Sequence, residues 1–172
     1  LLNASYNALD IHQTEKSDKI AIFWEGEDTS QRSISYAELF IQVKKFANVL
    51  KSLGIKKGDR VTIYLPMVPE LVISMLGCAR IGAIHTVVFS GFSSTSLRDR
   101  IEDSGSKIVI TADGGFRKGK IIKLKDIVDE AVSEVKSVEH VIVFERVKEK
   151  ITLNEKDHLW SELMKHASDQ CV

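Results

Sequence analysis

The sequence predicts an α/β fold: a parallel sheet of βαβ units flanked by helices and preceded by a β-hairpin. Three observations predict it. Short, largely apolar runs at Val61 to Leu65, Ala83 to Phe89, Lys107 to Thr111 and His140 to Phe144 lack polar alternation, as strands buried on both faces do. Helical patterns separate each run from the next, which describes right-handed crossovers between parallel strands. Ahead of them, Ile20 to Trp24 and Arg32 to Ser35 flank the polar run Glu25-Gly-Glu-Asp-Thr-Ser30, the pattern of a hairpin.

Each element has a local reason. Ser35-Tyr-Ala-Glu38 has the form of a capping box, with a hydroxyl at the N-cap and a carboxylate three residues on. Behind it Tyr36, Leu39, Phe40, Val43, Phe46, Ala47, Leu50 and Leu53 form a helical stripe that Gly54 ends. Pro66 and Pro69 bracket the next crossover, and Pro69 suits a first helical turn. The helix from Glu70 to Ile81 is apolar on nearly every side, so both its flanks are expected to be covered, with further protein beyond the sheet. Gly82 closes it. Ser90-Gly-Phe-Ser-Ser94 then turns into a helix carrying Leu97 and Ile101, which Gly105 stops. A further helix, read from Ile122, shows Leu124, Ile127, Val128, Ala131, Val132 and Val135 on one face. Glu145 to Lys156 is charged, and a short helix with Leu159, Trp160, Leu163 and Met164 follows. The expected division is residues 1–60 (hairpin and leading helix), 61–144 (sheet unit) and 145–172 (connecting tail and short helix).

The run most suggestive of chemistry is Ala112-Asp-Gly-Gly-Phe-Arg-Lys-Gly-Lys120. Glycines let a backbone approach a ligand closely, a helix N-terminus attracts anions, and Arg117, Lys118 and Lys120 add full charges. Gly114 to Lys120 also matches the start of a P-loop, but Ile121 stands where Ser or Thr would hold Mg²⁺. A P-loop phosphotransferase is therefore disfavoured. Two alternatives stay open: a metal-free site for a phosphate-bearing ligand, or a solvated basic loop. Ligands of open α/β sheets bind outside the carboxyl ends of the strands. The loops Phe89-Ser-Gly-Phe-Ser93 and Ala112 to Lys120 leave two consecutive strands there, so a shared crevice with Phe89, Gly91, Arg117 and Lys120 is expected. It suits a ligand with a flat apolar part and a phosphate part, such as an adenine nucleotide.

Composition excludes several classes. Lys plus Arg and Asp plus Glu both number 24, so no global charge recruits nucleic acid or an acidic membrane, and any anion site must be local. Cys78 and Cys171 make neither a disulfide framework nor a metal cluster, and Cys78 sits in an apolar helix as core filler. No apolar run approaches the length of a membrane span, and Leu1-Leu-Asn-Ala-Ser5 carries no basic region leading into an apolar one. A cytoplasmic protein is expected. The first residue is Leu rather than Met, which suggests an excerpt or a processed product.

Several blocks in one order carry a family resemblance. They are Pro66-Met-Val-Pro-Glu70, Cys78-Ala-Arg-Ile-Gly-Ala83, Val87-Val-Phe-Ser-Gly-Phe-Ser93, Leu97-Arg-Asp-Arg-Ile101 and Ile110-Thr-Ala-Asp-Gly-Gly115. Phe46-Ala-Asn-Val-Leu-Lys-Ser-Leu-Gly54, Lys57-Gly-Asp-Arg-Val61 and Ser137-Val-Glu-His-Val-Ile-Val143 support them. From Ala4 to about Trp160 the chain resembles the acetyl-coenzyme A synthetases, AMP-forming acetate–CoA ligases of the adenylate-forming superfamily. The resemblance implies a two-step reaction: acetate and Mg-ATP give acetyl-adenylate and pyrophosphate, then the CoA thiol takes the acetyl group and AMP leaves. It also implies an incomplete N-terminal domain, whose partners are the rest of that domain and the C-terminal domain. The family's Thr-Ser-Gly-Ser-Thr-Gly-x-Pro-Lys-Gly phosphate loop does not occur in this sequence, so no catalytic residue and no metal site are assigned to it.

Binding residues carry over by resemblance only for coenzyme A. Its nucleotide part is expected on Phe89, Ser90 and Gly91 and on Arg117, Lys118, Gly119 and Lys120, with Ile122 against the adenine. Ser90 stands where many members have Gly, and a cation persists at each end of Arg117-Lys-Gly-Lys120. Arg117 would act as a fork on phosphate oxygens and Lys120 as a point charge. Two functions therefore stand: the CoA-contacting part of a ligase, inactive alone, or a non-catalytic module binding an adenine nucleotide or a partner chain. Among other candidates, His85 is read as structural, and His12, His140, His158 and His166 lack metal-ligand spacing. Glu102 and Asp103 are read as cap or surface charge, and Trp24 and Trp160 as packing residues. Asp113 either orients Arg117 or caps the turn.

Overall fold

A computed structural model describes residues 2–171. Helix α1 (Ala4–Ala8) starts on the Asn3 side chain, which accepts from the Ser5 and Tyr6 amides, and a 3₁₀ turn (Asp10–His12) follows. Strands β1 (Ile20–Glu25) and β2 (Gln31–Ser35) pair antiparallel as the expected hairpin. Ser35 and Glu38 form the expected reciprocal capping box on α2 (Tyr36–Ser52). The sheet unit then runs β3 (Arg60–Ile63), α3 (Pro69–Ile81), β4 (Ile84–Val87), α4 (Ser94–Ser104) and β5 (Ile108–Ala112). After β5 come two short strands, β6 (Gly115–Arg117) and β7 (Lys120–Ile122), then α5 (Leu124–Val132), β8 (His140–Phe144), β9 (Asp157–Leu159) and α6 (Trp160–His166).

The main sheet has five parallel strands in the order β4-β3-β5-β8-β9. Right-handed crossovers place α3 on one face and α4 and α5 on the other, because the chain moves outward from β3 to β4 and then returns past it. Helix α2 packs on α3, and α6 packs on α2, β8 and β9, so the α2–α3 layer continues across the sheet. The core lies between these layers: Val61, Ile63, Ile108, Val109, Ile110, Ile142 and Val143 from the strands are wholly buried, as are Phe46, Leu50, Leu97, Ile101 and Val128 from the helices. Trp160 stacks on Phe46 at 4.4 Å between centroids and meets Phe144 edge-on, so it packs as expected. Cys78 and Cys171 are free and buried, and burial pushes the Cys78 thiol up to about 12.

Helix α3 exposes none of its residues, as its all-round apolar pattern requires. Its cover, however, comes from within this chain, from α2 on one flank and α1 on the other. Asn3 donates to the Ala79 and Arg80 carbonyls at the end of α3, and Arg80 forks onto both carboxylate oxygens of Asp10 at 2.8 and 2.9 Å. The N-terminal residues thus close the helix that the sequence pattern left uncovered.

Three elements differ from expectation. The helix read from Ile122 begins at Leu124, and the residues before it are the antiparallel hairpin β6–β7. Lys118 and Gly119 both have positive φ, 52° and 71°, the signature of a two-residue type I′ turn. Strand β9 at the sheet edge has only three residues and no legible pattern of its own. It is held by Lys125, fully buried on α5, whose Nζ meets Asp157 Oδ2 at 2.7 Å and Asp129 Oδ1 at 2.5 Å. Such a buried cation persists only when paired on its sides, as it is here.

Candidate functional site

The chain leaves β3 toward one edge of the sheet and β5 toward the other, so the crevice above their carboxyl ends is the topological switch point. A cavity of about 280 Å³ lies there. Pro66, Met67 and Val68 after β3, Phe89 and Ser90 after β4, and Gly115, Phe116 and Arg117 after β5 form its walls. Ile122 and Leu124 close the floor, Arg146 enters after β8, and Trp24 to Glu27 of the β1–β2 hairpin complete the rim. The loops chosen from the sequence are neighbours across one crevice.

Of the eight expected residues, Phe89, Ser90, Arg117 and Ile122 line the cavity. Gly91 stands behind two of them: a Cβ there would lie 2.4 Å from Phe89 Cε1 and 2.6 Å from Arg117 Nη1. Arg117 holds its guanidinium 5.4 Å from the centre of the Phe89 ring. Lys118 and Gly119 are the exposed turn of the β6–β7 hairpin and lie outside the cavity lining. Lys120 is the cross-strand partner of Arg117, so the two side chains project from one face of the hairpin. Among the described residues, Arg117, Lys118 and Lys120 make no ion pair.

The hairpin corrects the chemistry expected of this run. The cations sit on a β-turn rather than at a helix N-terminus, so no helix dipole adds to them, and the P-loop geometry of strand, loop and helix is absent from Gly114 to Lys120. Asp113 does not orient Arg117. Its buried carboxylate accepts backbone N–H groups from Gly114 at 2.7 Å, Arg146 at 2.8 Å, Val147 at 3.0 Å and Lys148 at 2.7 Å, fastening the loop after β8 to the end of β5.

Several contributors escaped the sequence. Tyr64, fully buried, places its hydroxyl 2.7 Å from the Phe92 carbonyl and 3.2 Å from that of Ser90, steadying the loop that carries Phe89. Burial raises the Tyr64 pKa, so the phenol stays a donor. Trp24 is a wall of the cavity rather than plain packing, and its indole N–H donates to the Met67 carbonyl at 2.6 Å. Arg146 lies between the rings of Trp24 and Phe116, at 5.1 and 4.9 Å, and pairs with Asp28 at 2.5 Å. That bond holds the Asp28 carboxyl well below the usual carboxylate range. The Gly119 amide donates to Glu27 at 2.7 Å, so both hairpins meet at the rim.

The cavity offers flat apolar walls with a fork and a point charge at its edge. Nothing in its lining pairs a nucleophile with a base, and among the described residues no three His, Cys, Asp or Glu side chains gather as a metal site. Among the described residues, no helix is long and apolar enough to cross a membrane.

Comparison with known proteins agrees with the fold and places the chain in a family. Over 99% of its length it is 53% identical to the acetyl-coenzyme A synthetase of Shewanella halifaxensis, and over 98% it is 51% identical to that of Chlorobaculum tepidum. It spans 27% and 26% of the length of those two relatives. The structure superposes on acetoacetyl-CoA synthetase from Streptomyces lividans with a TM-score of 0.88 at 28% identity, covering 97% of this chain and 25% of that one. The profile of the AMP-binding enzyme family matches residues 9–170, nearly the whole chain, and the chain belongs to that family.

Proposed function

We propose that this chain is the N-terminal portion of an AMP-forming acetate–CoA ligase and forms its site for the nucleotide part of coenzyme A. The relatives named above support the ligase, and the cavity at the switch point supports the site. One observation carries the assignment. Arg117 and Lys120 project from one face of a hairpin, without ion-pair partners among the described residues, beside the Phe89 and Ile122 walls of a cavity. Adenine needs the flat apolar surface, and the 3′-phosphate and diphosphate need the cations. Lys118, Gly119, Ser90 and Gly91 complete the two loops. Acetate and Mg-ATP would be bound by the remainder of the enzyme, which we place in the cytoplasm.

The test is Arg117→Ala in the full-length ligase. A charge-assisted contact with phosphate is worth about 1.5–3 kcal/mol, so CoA affinity should fall by about one to two decades. Lys120→Ala should act in the same direction but less, because a point charge on a flexible stem loses less geometry. ATP–pyrophosphate exchange with acetate, which precedes CoA, should change far less than thioester formation. Equal losses in both half-reactions would make the hairpin structural and remove coenzyme A from this cavity.

A further inference from the structure

We infer that Arg146 is a positioning residue for the coenzyme A phosphates, acting through Arg117 rather than touching the ligand. The inference rests on the proposed coenzyme A site. Arg146 lines the cavity, yet little of its charge is free. Its Nη2 pairs with Asp28 at 2.5 Å and lies 3.4 Å from Ser30 Oγ, while its guanidinium lies by the Trp24 and Phe116 rings. A phosphate would have to displace both an aromatic ring and a carboxylate to reach it. Arg117 and Lys120 are in the opposite condition, exposed and without an ion pair among the described residues.

What Arg146 does hold is the frame. Phe116 precedes Arg117 on β6, so the cation over Phe116 fixes the strand from which Arg117 projects. Trp24 and Asp28 belong to the β1–β2 hairpin, whose Glu27 accepts the Gly119 amide at the tip between Arg117 and Lys120. Asp113 receives the backbone amide of Arg146 itself, anchoring the residue to the end of β5. One guanidinium therefore ties three loops that are distant in sequence around the cation pair. Gly26 shows how tightly: a Cβ there would fall 2.7 Å from Arg146 Nη2 and 2.3 Å from Asp28 Oδ1. Cation–aromatic contacts of this kind strengthen as they lose water, and the Arg146 side chain is only 14% exposed.

A residue that works through Arg117 must lose its effect when Arg117 is gone. In the full-length ligase, Arg146→Met should raise the KM for CoA about tenfold, with the loss in KM rather than kcat, since an unfixed cation misplaces the phosphate. Asp28→Asn removes only the pin and keeps the stacked guanidinium, so it should raise the same KM about threefold and leave a folded protein even if Arg146→Met does not. On an Arg117→Ala background, neither change should add more than about twofold, because coupled residues are non-additive. Arg146→Lys, which keeps the charge but not the planar stack, should recover only part of the loss. Full additivity on the two backgrounds, or an unaltered KM in folded Asp28→Asn and Arg146→Met proteins, would overturn the inference. An unaltered KM in Arg117→Ala alone would instead remove the coenzyme A site itself, and the inference with it.

Discussion

Gly91 shows how single atoms shape this site. Its neighbours Phe89 and Arg117 already approach within contact of where a side chain would begin, so the residue makes room for a cation to lie over a ring. The sequence suggested a glycine through which a ligand nears the backbone; the structure shows one through which two protein side chains near each other. Gly91→Ala should push Phe89 and Arg117 apart and forfeit about 0.5–1 kcal/mol of cation–aromatic attraction, besides the shifted geometry. CoA affinity of the full-length ligase should then fall by about three- to tenfold, with the thermal midpoint nearly unmoved. Titration calorimetry with CoA checks this, and an unchanged affinity would mean that the Arg117–Phe89 contact plays no part in binding. At this scale the sequence was legible where a residue type has few uses. Phe89 and Arg117 were chosen for their chemistry, Ile122 came from the family resemblance, and all three line one cavity. Arg146, Trp24 and Tyr64 were not, because an arginine in a charged stretch, an aromatic in a hairpin and a tyrosine in a strand each look like ordinary surface or core.

Elements were legible in proportion to the repeat they carry. The capping box and stripe of α2, and the buried strands separated by helices, each rest on several residues that agree. Hairpin β6–β7 rests on two three-residue strands and a Lys-Gly turn, where Asn-Gly or Asp-Gly would have announced it. Ile122 then merged with the apolar face of α5, which shifted the expected helix start by two residues. Strand β9 is still harder to see, since Asp157, His158 and Leu159 acquire a role only beside β8. That pairing makes its stability depend on pH. His158 is registered with Ile142, two residues from His140, and the rings meet with Nδ1 of His140 3.0 Å from Nε2 of His158. One proton can bridge these nitrogens; two cannot. Around them, Asp157 next to His158 is paired with Lys125, Lys156 reaches the Val138 carbonyl, and Glu162 and His166 of α6 line the same hollow as His158. Burial first, and then the His140 charge, lowers the His158 pKa. A folded value below the unfolded one means that the unfolded chain binds more protons, so this contribution is present above about pH 6.5 and is lost as pH falls through the folded value. The thermal midpoint should therefore drop between pH 7 and pH 5, and His158→Gln should flatten that drop. Parallel pH profiles for the two proteins would show that the pair does not govern it.

Across the whole molecule, the proposed coenzyme A site is one for holding rather than for reacting. The loops after β3, β4, β5 and β8 converge on one crevice, and α1 returns to cover α3, so the sheet unit and its lead segment form one packed body. Adenylation asks for more than this. An attack of acetate on the α-phosphate of ATP needs donors aimed at the charge that builds on the phosphate oxygens, held at close range in a dry site. Here Arg117, Lys118 and Lys120, which make no ion pair among the described residues, stand on one exposed hairpin, and the phosphate loop of the acetyl-CoA synthetases does not occur in the sequence. These cations can neutralise a bound phosphate, but the other cation among the described lining residues, Arg146, is already paired with Asp28. The 172-residue chain should therefore form no acetyl-adenylate: acetate-dependent exchange of labelled pyrophosphate into ATP should match a heat-killed control. The same assay on a protein of the relatives' full length that contains this segment should show exchange. Exchange by the 172-residue chain above that control would place adenylation chemistry within these residues, and the division between a holding part and a reacting part would fail.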